Sequence, residues 1–352
     1  MSARRGGSNV TIRDIAAKLG LTHTTVSRAL NDHAQTNAET KVRVRAAARQ
    51  LGYIPNSPAQ LMRRQRSTLV GLVVPDMKNP LAAAIARAMT VKLANSGMQL
   101  MLAISADDPE IEYRQILALR SAQVMGIAVM FTAKPLAATI GLLKHVPSVQ
   151  LLRYDKRGPK WSVVVDDYAG VREAVLHLLQ LGHRRIGYIG PTVQVSTGVE
   201  RLRGFEEAHR EFGLEPPTKL IHIGLSSPEF GREAYGRLMN AKSPPTAVFL
   251  GSQRLTLGFL ECANDAGILI PRDLSIVCYG DADWFVATNP QVTAVYLPLD
   301  EVADSAIDLL MSARLEAAGG ESVKASVLPT HLVLRHTTAP IPGALAARRS
   351  RR

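Results

Sequence analysis

Cysteine and aromatic residues are scarce in this chain: 2 cysteines in 352 residues, and Phe, Trp and Tyr together at 5%. Cys262 and Cys278 each lie inside an apolar run. Two such residues make neither a disulfide framework nor a zinc site, so both are expected to be reduced core residues of a cytoplasmic protein. Long hydrophobic runs are also missing. No segment approaches the roughly 18 apolar residues that would span a bilayer, so no membrane partner is expected. The basic stretch Met1 to Gly7 is followed by no apolar run, so it does not read as a signal peptide. Gly187 and Gly190 follow an apolar run, but the full dinucleotide fingerprint is absent, as is a phosphate-binding Gly-Lys-Ser/Thr loop. No serine elbow, metal-spaced His/Cys cluster or isolated carboxylate pair is found, and His183, flanked by arginines, is expected to be structural. The chain is therefore expected to be no enzyme and to need no cofactor or metal.

What is abundant is positive charge, and it is unevenly placed. The formal net charge is +12. Residues 1–66 carry a net +9 and residues 339–352 a net +4, while 67–338 carry −1. A neutral body with a basic head suits a polyanionic partner, because neutralised phosphates release condensed counterions. A length of 352 residues also exceeds one ordinary core, so two or three domains are expected.

The head has the punctuation of short helices. Thr11 and Asp14 form a capping box, followed by Ile12, Ile15, Ala16 and Leu19 on one helical face and by Gly20 as the terminator. Thr22 can cap a second helix to about Leu30, with Val26 and Ala29 or Leu30 inward. Asn37 can cap a third, with Val44, Ala47, Ala48 and Leu51 inward and Gly52 at its end. Two short helices across a tight turn make a helix-turn-helix. Arg13, Lys18, Arg28, Lys41, Arg43, Arg45 and Arg49 fall on the outward faces, where they can meet phosphates.

From Ser67 onward apolar runs alternate with helical stretches. Strands are expected at 68–75, 98–104, 126–131, 163–165, 185–189, 246–251 and 275–278, and helices at 81–96, 110–122 and 169–181. Such alternation specifies parallel sheets with helices on both faces, and ligands in these folds sit at the carboxyl ends of strands.

The wording of the head is more specific than its helix pattern. The run from Val10 to Asn31, with Glu39-Thr40 and Ala46 to Asn56, closely resembles the lactose-repressor (LacI/GalR) family headpiece. Further phrases similar to that family recur at Gly71–Pro80, Ala174–Gly190, Arg201–Phe205, Pro245–Phe249, Ile270–Val277 and Pro329–Arg335. The resemblance spans nearly all of 9–340. It implies a helix-turn-helix head at 1–56, a hinge helix or linker at 57–66, a two-lobe periplasmic-binding-protein-like domain at 67–340 and a basic disordered tail at 341–352. Lobe 1 would take about 67–165 and 295–325, and lobe 2 about 166–294 and 326–340, with the effector cleft between them.

The resemblance also implies site residues. Thr22 to Leu30 would enter the major groove, with His23 and Thr24 at variable base-reading positions and Arg28 at a guanine-reading one. Thr11, Thr22, Thr25, Ser27, Asn31 and Tyr53 match positions that hold the DNA backbone or the head's own packing. In the hinge, Asn56, Ala59 and Met62 would face DNA, Met62 standing where the family usually places a minor-groove leucine wedge. A plain basic linker is the alternative there.

Departures from the family pattern cluster at the cleft. Leu152-Arg153 stand where an Asp-Arg pair is usual, Ser252-Gln253 replace Asn-Asp, Gly280 replaces the first acid beside Asp281, and Leu81-Ala82 replace aromatics. Arg201 remains at the matching arginine position, joined by Arg153 and Arg254. Asp76, Leu81, Arg153, Arg201, Ser252, Gln253 and Asp281 are the expected effector contacts. Either these departures are drift, or the ligand is not a neutral hexose but an anionic sugar derivative.

The expectation is a homodimeric regulator of a palindromic DNA operator, in the manner of a repressor, controlled by a sugar or sugar-acid-like effector. A solute-binding protein of the same two-lobe fold is the alternative, opposed by the basic head.

Overall fold

The structure is a computed structural model in which residues 10–53, 67–316 and 325–341 are described. Asn56, Ala59 and Met62, with most of the expected hinge and tail, lie outside the described residues. Ile341, expected in the tail, donates its N–H to the Leu181 carbonyl at 3.1 Å. The chain divides into two compact units, 1–67 and 68–352.

In the first unit, α1 (Ile12–Leu19), α2 (His23–Leu30) and α3 (Ala38–Leu51) form where the caps place them. The Thr11 hydroxyl accepts the Asp14 N–H while Asp14 accepts the Thr11 N–H, a reciprocal capping box. Gly20 closes α1 at φ +65° and Gly52 closes α3 at φ +68°, left-handed conformations that a side chain would strain. The core is Ile15, Ala16, Val26, Ala29, Val44, Ala47 and Ala48, with Leu19, Leu30, Leu51 and Tyr53 packed around it. Four of those seven are alanines. So thin a core gains little from burial, and each cap, worth about 1 kcal/mol, carries a large share of the stability.

The second unit runs β1 (Leu69–Val74), α4 (Pro80–Asn95), β2 (Gln99–Ile104), α5 (Pro109–Ser121), β3 (Gly126–Val129), α6 (Ala137–Leu143), β4 (Ser148–Leu151) and β5 (Trp161–Val165). It continues through α7 (Asp167–Gln180), β6 (Ile186–Pro191), α8 (Ser196–Glu211), β7 (Ile221–Gly224), α9 (Pro228–Met239), β8 (Ala247–Leu250), α10 (Gln253–Asp265) and β9 (Ser275–Tyr279). It ends with β10 (Ala294–Tyr296), α11 (Leu299–Glu316), β11 (Ala325–Leu328) and β12 (His331–Val333). Two six-stranded sheets result, ordered β11-β5-β4-β3-β1-β2 and β12-β10-β9-β8-β6-β7. Val70, Leu72, Val73 and Val74 in β1 are fully buried, which is why this strand reads as a continuous apolar run.

The chain passes between the sheets three times: after β5, between β10 and β11, and between β11 and β12. The last passage comes after Leu328, so 326–328, expected in lobe 2, pair instead with β5. It also makes β12 antiparallel to β10, the one departure from parallel pairing among the described residues. The Asp166 N–H donates to Leu328 O at 2.9 Å and the Thr330 hydroxyl to Asp166 O at 3.1 Å, tying two of the crossings together. Gly170 permits that closeness, since a Cβ there would lie 2.3 Å from the Thr330 hydroxyl oxygen.

Candidate DNA-reading surface and effector cleft

Helix α2 is held from one side and bare on the other. Val26 and Ala29 are buried against α1 and α3. Thr22 caps the helix by accepting the Thr25 N–H at 3.2 Å, and the two hydroxyls meet at 2.9 Å. The Asn31 amide donates to Ser27 O at 2.8 Å. Thr11, Thr22 and Asn31 are thus spent on the head's own backbone, while Thr25, Ser27 and Tyr53 are half-buried. His23, Thr24 and Arg28 are exposed, and their side chains make no hydrogen bond or ion pair among the described residues. The same holds for Arg13, Arg43 and Arg49. Lys41 and Arg45, expected to meet phosphates, are instead drawn onto Asp32, at 3.0 and 3.1 Å, and hold its carboxyl below the ordinary range. Lys18 donates to the Gln50 side-chain oxygen at 3.0 Å.

In the second unit, the carboxyl ends of strands from both sheets open onto one cavity of about 460 Å³, large enough for a small molecule. Of the expected contacts, Asp76, Leu81, Arg153, Arg201, Ser252 and Gln253 line it. Asp281 does not. Arg335 binds its carboxylate through both terminal nitrogens at 2.8 and 2.7 Å, which secures a loop outside the cavity lining.

The cleft arginines are engaged. Arg201 is buried; its Nε donates to Asp167 at 2.6 Å, its Nη1 to Gly251 O at 2.8 Å, and its guanidinium lies 3.7 Å over the Tyr279 ring. Burial pushes the Asp167 carboxyl up against the pull of the Arg201 charge. Arg153 Nη1 donates to Asp107 at 3.0 Å and to Phe131 O at 3.1 Å. Arg254 Nη1 donates to Asp76 at 2.8 Å. Each arginine nevertheless commits only one or two of its nitrogens, and the exposed Lys78 ammonium has no partner among the described residues. The charged side chains lining the cavity are Lys78, Arg153, Arg201 and Arg254 against Asp76 and Asp107. Two buried oxygens of lining residues, Gln253 Oε1 and the Tyr279 hydroxyl, have no hydrogen-bond partner among the described residues.

Two of the replaced positions have left-handed backbones. Leu152 is buried at φ +56°, a left-handed conformation that costs a leucine more than the usual aspartate. Gly280 adopts φ +86°, and a Cβ there would meet Gln253 Nε2 at 3.1 Å. The Gln253 amide therefore occupies the space into which an acid at 280 would project. Beside the cleft, Glu112 is fully buried; its Oε2 accepts the Thr132 N–H at 2.7 Å, and its Oε1 has no partner. Burial pushes this carboxyl up to about 7.

The sequence reading missed Lys78, Asp107, Thr197, Ser226 and Ser227, all of which line the cavity. Applying the strand-end rule to β2 points to Asp107. The two serines follow β7, a strand that the apolar pattern does not single out. His183 bridges Thr246 Oγ1 at 3.0 Å and Ala339 O at 3.1 Å, away from the cavity. Among the described residues no His/Cys/Asp/Glu group could hold a metal ion, and no helix is long and apolar enough to cross a membrane.

A helix-turn-helix and a ligand-sized cleft in one chain are the construction of a ligand-responsive DNA-binding regulator. Residues 11–56 match the model of bacterial regulatory proteins of the lacI family, and 175–338 match that of the periplasmic binding protein-like domain. The chain is 30% identical over 343 residues to the HTH-type transcriptional regulator DegA of Bacillus subtilis (strain 168), covering 94% of this chain and 98% of that protein. It is 28% identical over 347 residues to the HTH-type transcriptional repressor CytR of Escherichia coli (strain K12), covering 97% and 100%. Among solved structures, the Lac repressor bound to ONPG in its repressed state superposes with a TM-score of 0.82 at 24% identity, a likeness of fold. The transcriptional regulator CelR in complex with cellobiose superposes with 0.70 at 28% identity; both cover 94% of this chain and 100% of theirs. This chain belongs to the LacI family of bacterial regulatory proteins, DNA-binding transcription regulators with a ligand-binding domain, and it is not an enzyme.

Proposed function

We propose that this protein is a cytoplasmic repressor that binds a palindromic operator as a homodimer and changes its DNA affinity when an anionic small molecule occupies the cleft. The observation that carries the DNA half is the bare outward row His23, Thr24 and Arg28 on a helix whose other face is locked into the head. Arginine can reach the two acceptors of guanine together, a contact worth about 1–3 kcal/mol of discrimination. Dimerisation is supported by the family and by exposed apolar side chains on two edge strands, Leu102 and Ile104 on β2 and Ile223 on β7. Two-fold symmetry then calls for two inverted half-sites. Selection from a random duplex library followed by binding at several salt concentrations tests this. An inverted repeat should emerge, and Arg28→Ala should lose roughly 10- to 100-fold on that repeat while changing little on random duplex. Equal losses on both would reduce Arg28 to a phosphate contact.

The effector half rests on the excess of cationic over acidic side chains lining the cleft, which a carboxylate or phosphate complements better than a neutral sugar. Arg201 is a weaker candidate for the anion than the sequence suggests, because Asp167 already holds it. Calorimetry with matched acidic and neutral sugars decides between them, and micromolar binding of only the neutral member would overturn the anionic reading.

A further inference from the structure

Among the described residues, one ion pair joins the two halves of the cleft. Asp76 follows β1 of the first sheet, Arg254 sits in the first turn of α10 in the second, and they meet at 2.8 Å along the cavity wall. The other arginines of the cleft pair within their own half: Arg153 with Asp107, and Arg201 with Asp167. The carboxylate of Asp76 is presented firmly, since its other oxygen accepts the Lys78 N–H at 2.8 Å. The pair is also open to solvent, with 25% of the Arg254 side chain and 41% of the Asp76 side chain exposed. Half-exposed pairs are weak and sensitive to salt, so this contact can be exchanged.

We infer that Asp76 is a built-in occupant of the arginine that reads the effector's charge. Without an anionic ligand Arg254 holds Asp76 and so helps to hold the two halves together. A ligand carboxylate or phosphate takes Arg254 in place of Asp76, and the displaced carboxylate keeps its bond from the Lys78 N–H. A neutral ligand leaves the pair intact. Arg254, with Asp76 as its competitor, is thus a residue that sets specificity for charge, and lobe closure follows from which anion it holds. This rests on the anionic reading of the cleft, but its conformational half can be judged with no ligand present.

The test uses the full chain. Small-angle scattering of the empty protein at roughly 50 and 500 mM salt reports closure. The wild type should expand as salt rises, Asp76→Asn should already be expanded at low salt, and the exchange Asp76→Arg with Arg254→Asp should restore the compact low-salt form. Calorimetry with D-gluconate, D-glucose and inorganic phosphate reports the competition. Asp76→Asn should bind the anions about 10-fold more tightly than wild type, Arg254→Gln about 10-fold more weakly, and neither should change glucose binding. Scattering curves of Asp76→Asn that match wild type at both salts overturn the latch, as does unchanged anion affinity in that variant. If wild type binds neither gluconate nor phosphate, the anionic reading falls, and the latch stands or falls on the scattering alone.

Discussion

Arginines serve both halves of this protein and are kept in opposite states. In the head, Arg13, Arg28, Arg43 and Arg49 leave their helices without a partner among the described residues. In the cleft, Arg153, Arg201 and Arg254 each hold a carboxylate. The difference fits what each would meet under the proposed function. DNA arrives as a dense array of phosphates, so exposed cations can wait in water at little cost and gain by releasing counterions. A small ligand enters a partly buried cleft, where an unpaired cation would be expensive until the ligand came. Paired arginines are stable in such a cleft, and under the proposed function an anionic ligand competes for them.

The widest test of that contrast compares the two kinds of arginine by stability. Arg201→Ala leaves Asp167 buried without its partner and should destabilise the second unit by about 3–5 kcal/mol. Arg28→Ala should leave stability within about 0.5 kcal/mol, its loss confined to operator affinity. Urea unfolding of both variants checks this, and a stable Arg201→Ala protein would break the contrast.

Glu112 gives an effect of intermediate size and opposite sign to most carboxylates. Burial raises its pKa from 4.5 to about 7, so the folded state keeps a proton that the unfolded chain has released. Stability should therefore fall as pH climbs from 4.5 toward 7 and stay flat above that. Glu112→Gln should remove this loss, gaining on the order of 1–3 kcal/mol over wild type at a pH of about 8 and nothing at about 4. Thermal melts across that range measure it, and a variant offset by the same amount at every pH would show that packing, not the proton, was changed. The smallest effect belongs to the head, where Thr22→Ala should cost about 1 kcal/mol through loss of the α2 cap. Because the head's core is thin, that loss should appear as faster amide exchange in residues 23–30 while exchange in the second unit is unchanged.

Much of the geometry of the candidate DNA-reading surface was legible in the sequence because it is built from neighbours. Thr11 with Asp14, Thr22 with Thr25, and Gly20 act within a few residues, and the 3.6-residue period tells inward Val26 from outward Arg28. The pairing of Lys41 and Arg45 was not legible because it depends on Asp32, nine residues before Lys41, folding back onto α3. The cleft was legible only in outline. Strand ends point to it, and six of its residues were named, but Asp281 was assigned to it when Arg335, 54 residues away, removes it.

By itself the sequence determined the helix caps, the apolar faces, the alternation of strands and helices and the excess of charge in the head. All of these depend on residue type and short-range spacing. Only the tertiary structure decided which charges meet. Asp76 and Arg254 lie 178 residues apart, and their pairing depends on two sheets, three chain crossings and the direction of the strands that end at the cavity. Short-range propensity carries no information about such a pair, because each partner would be equally content in water until the fold brings the two together.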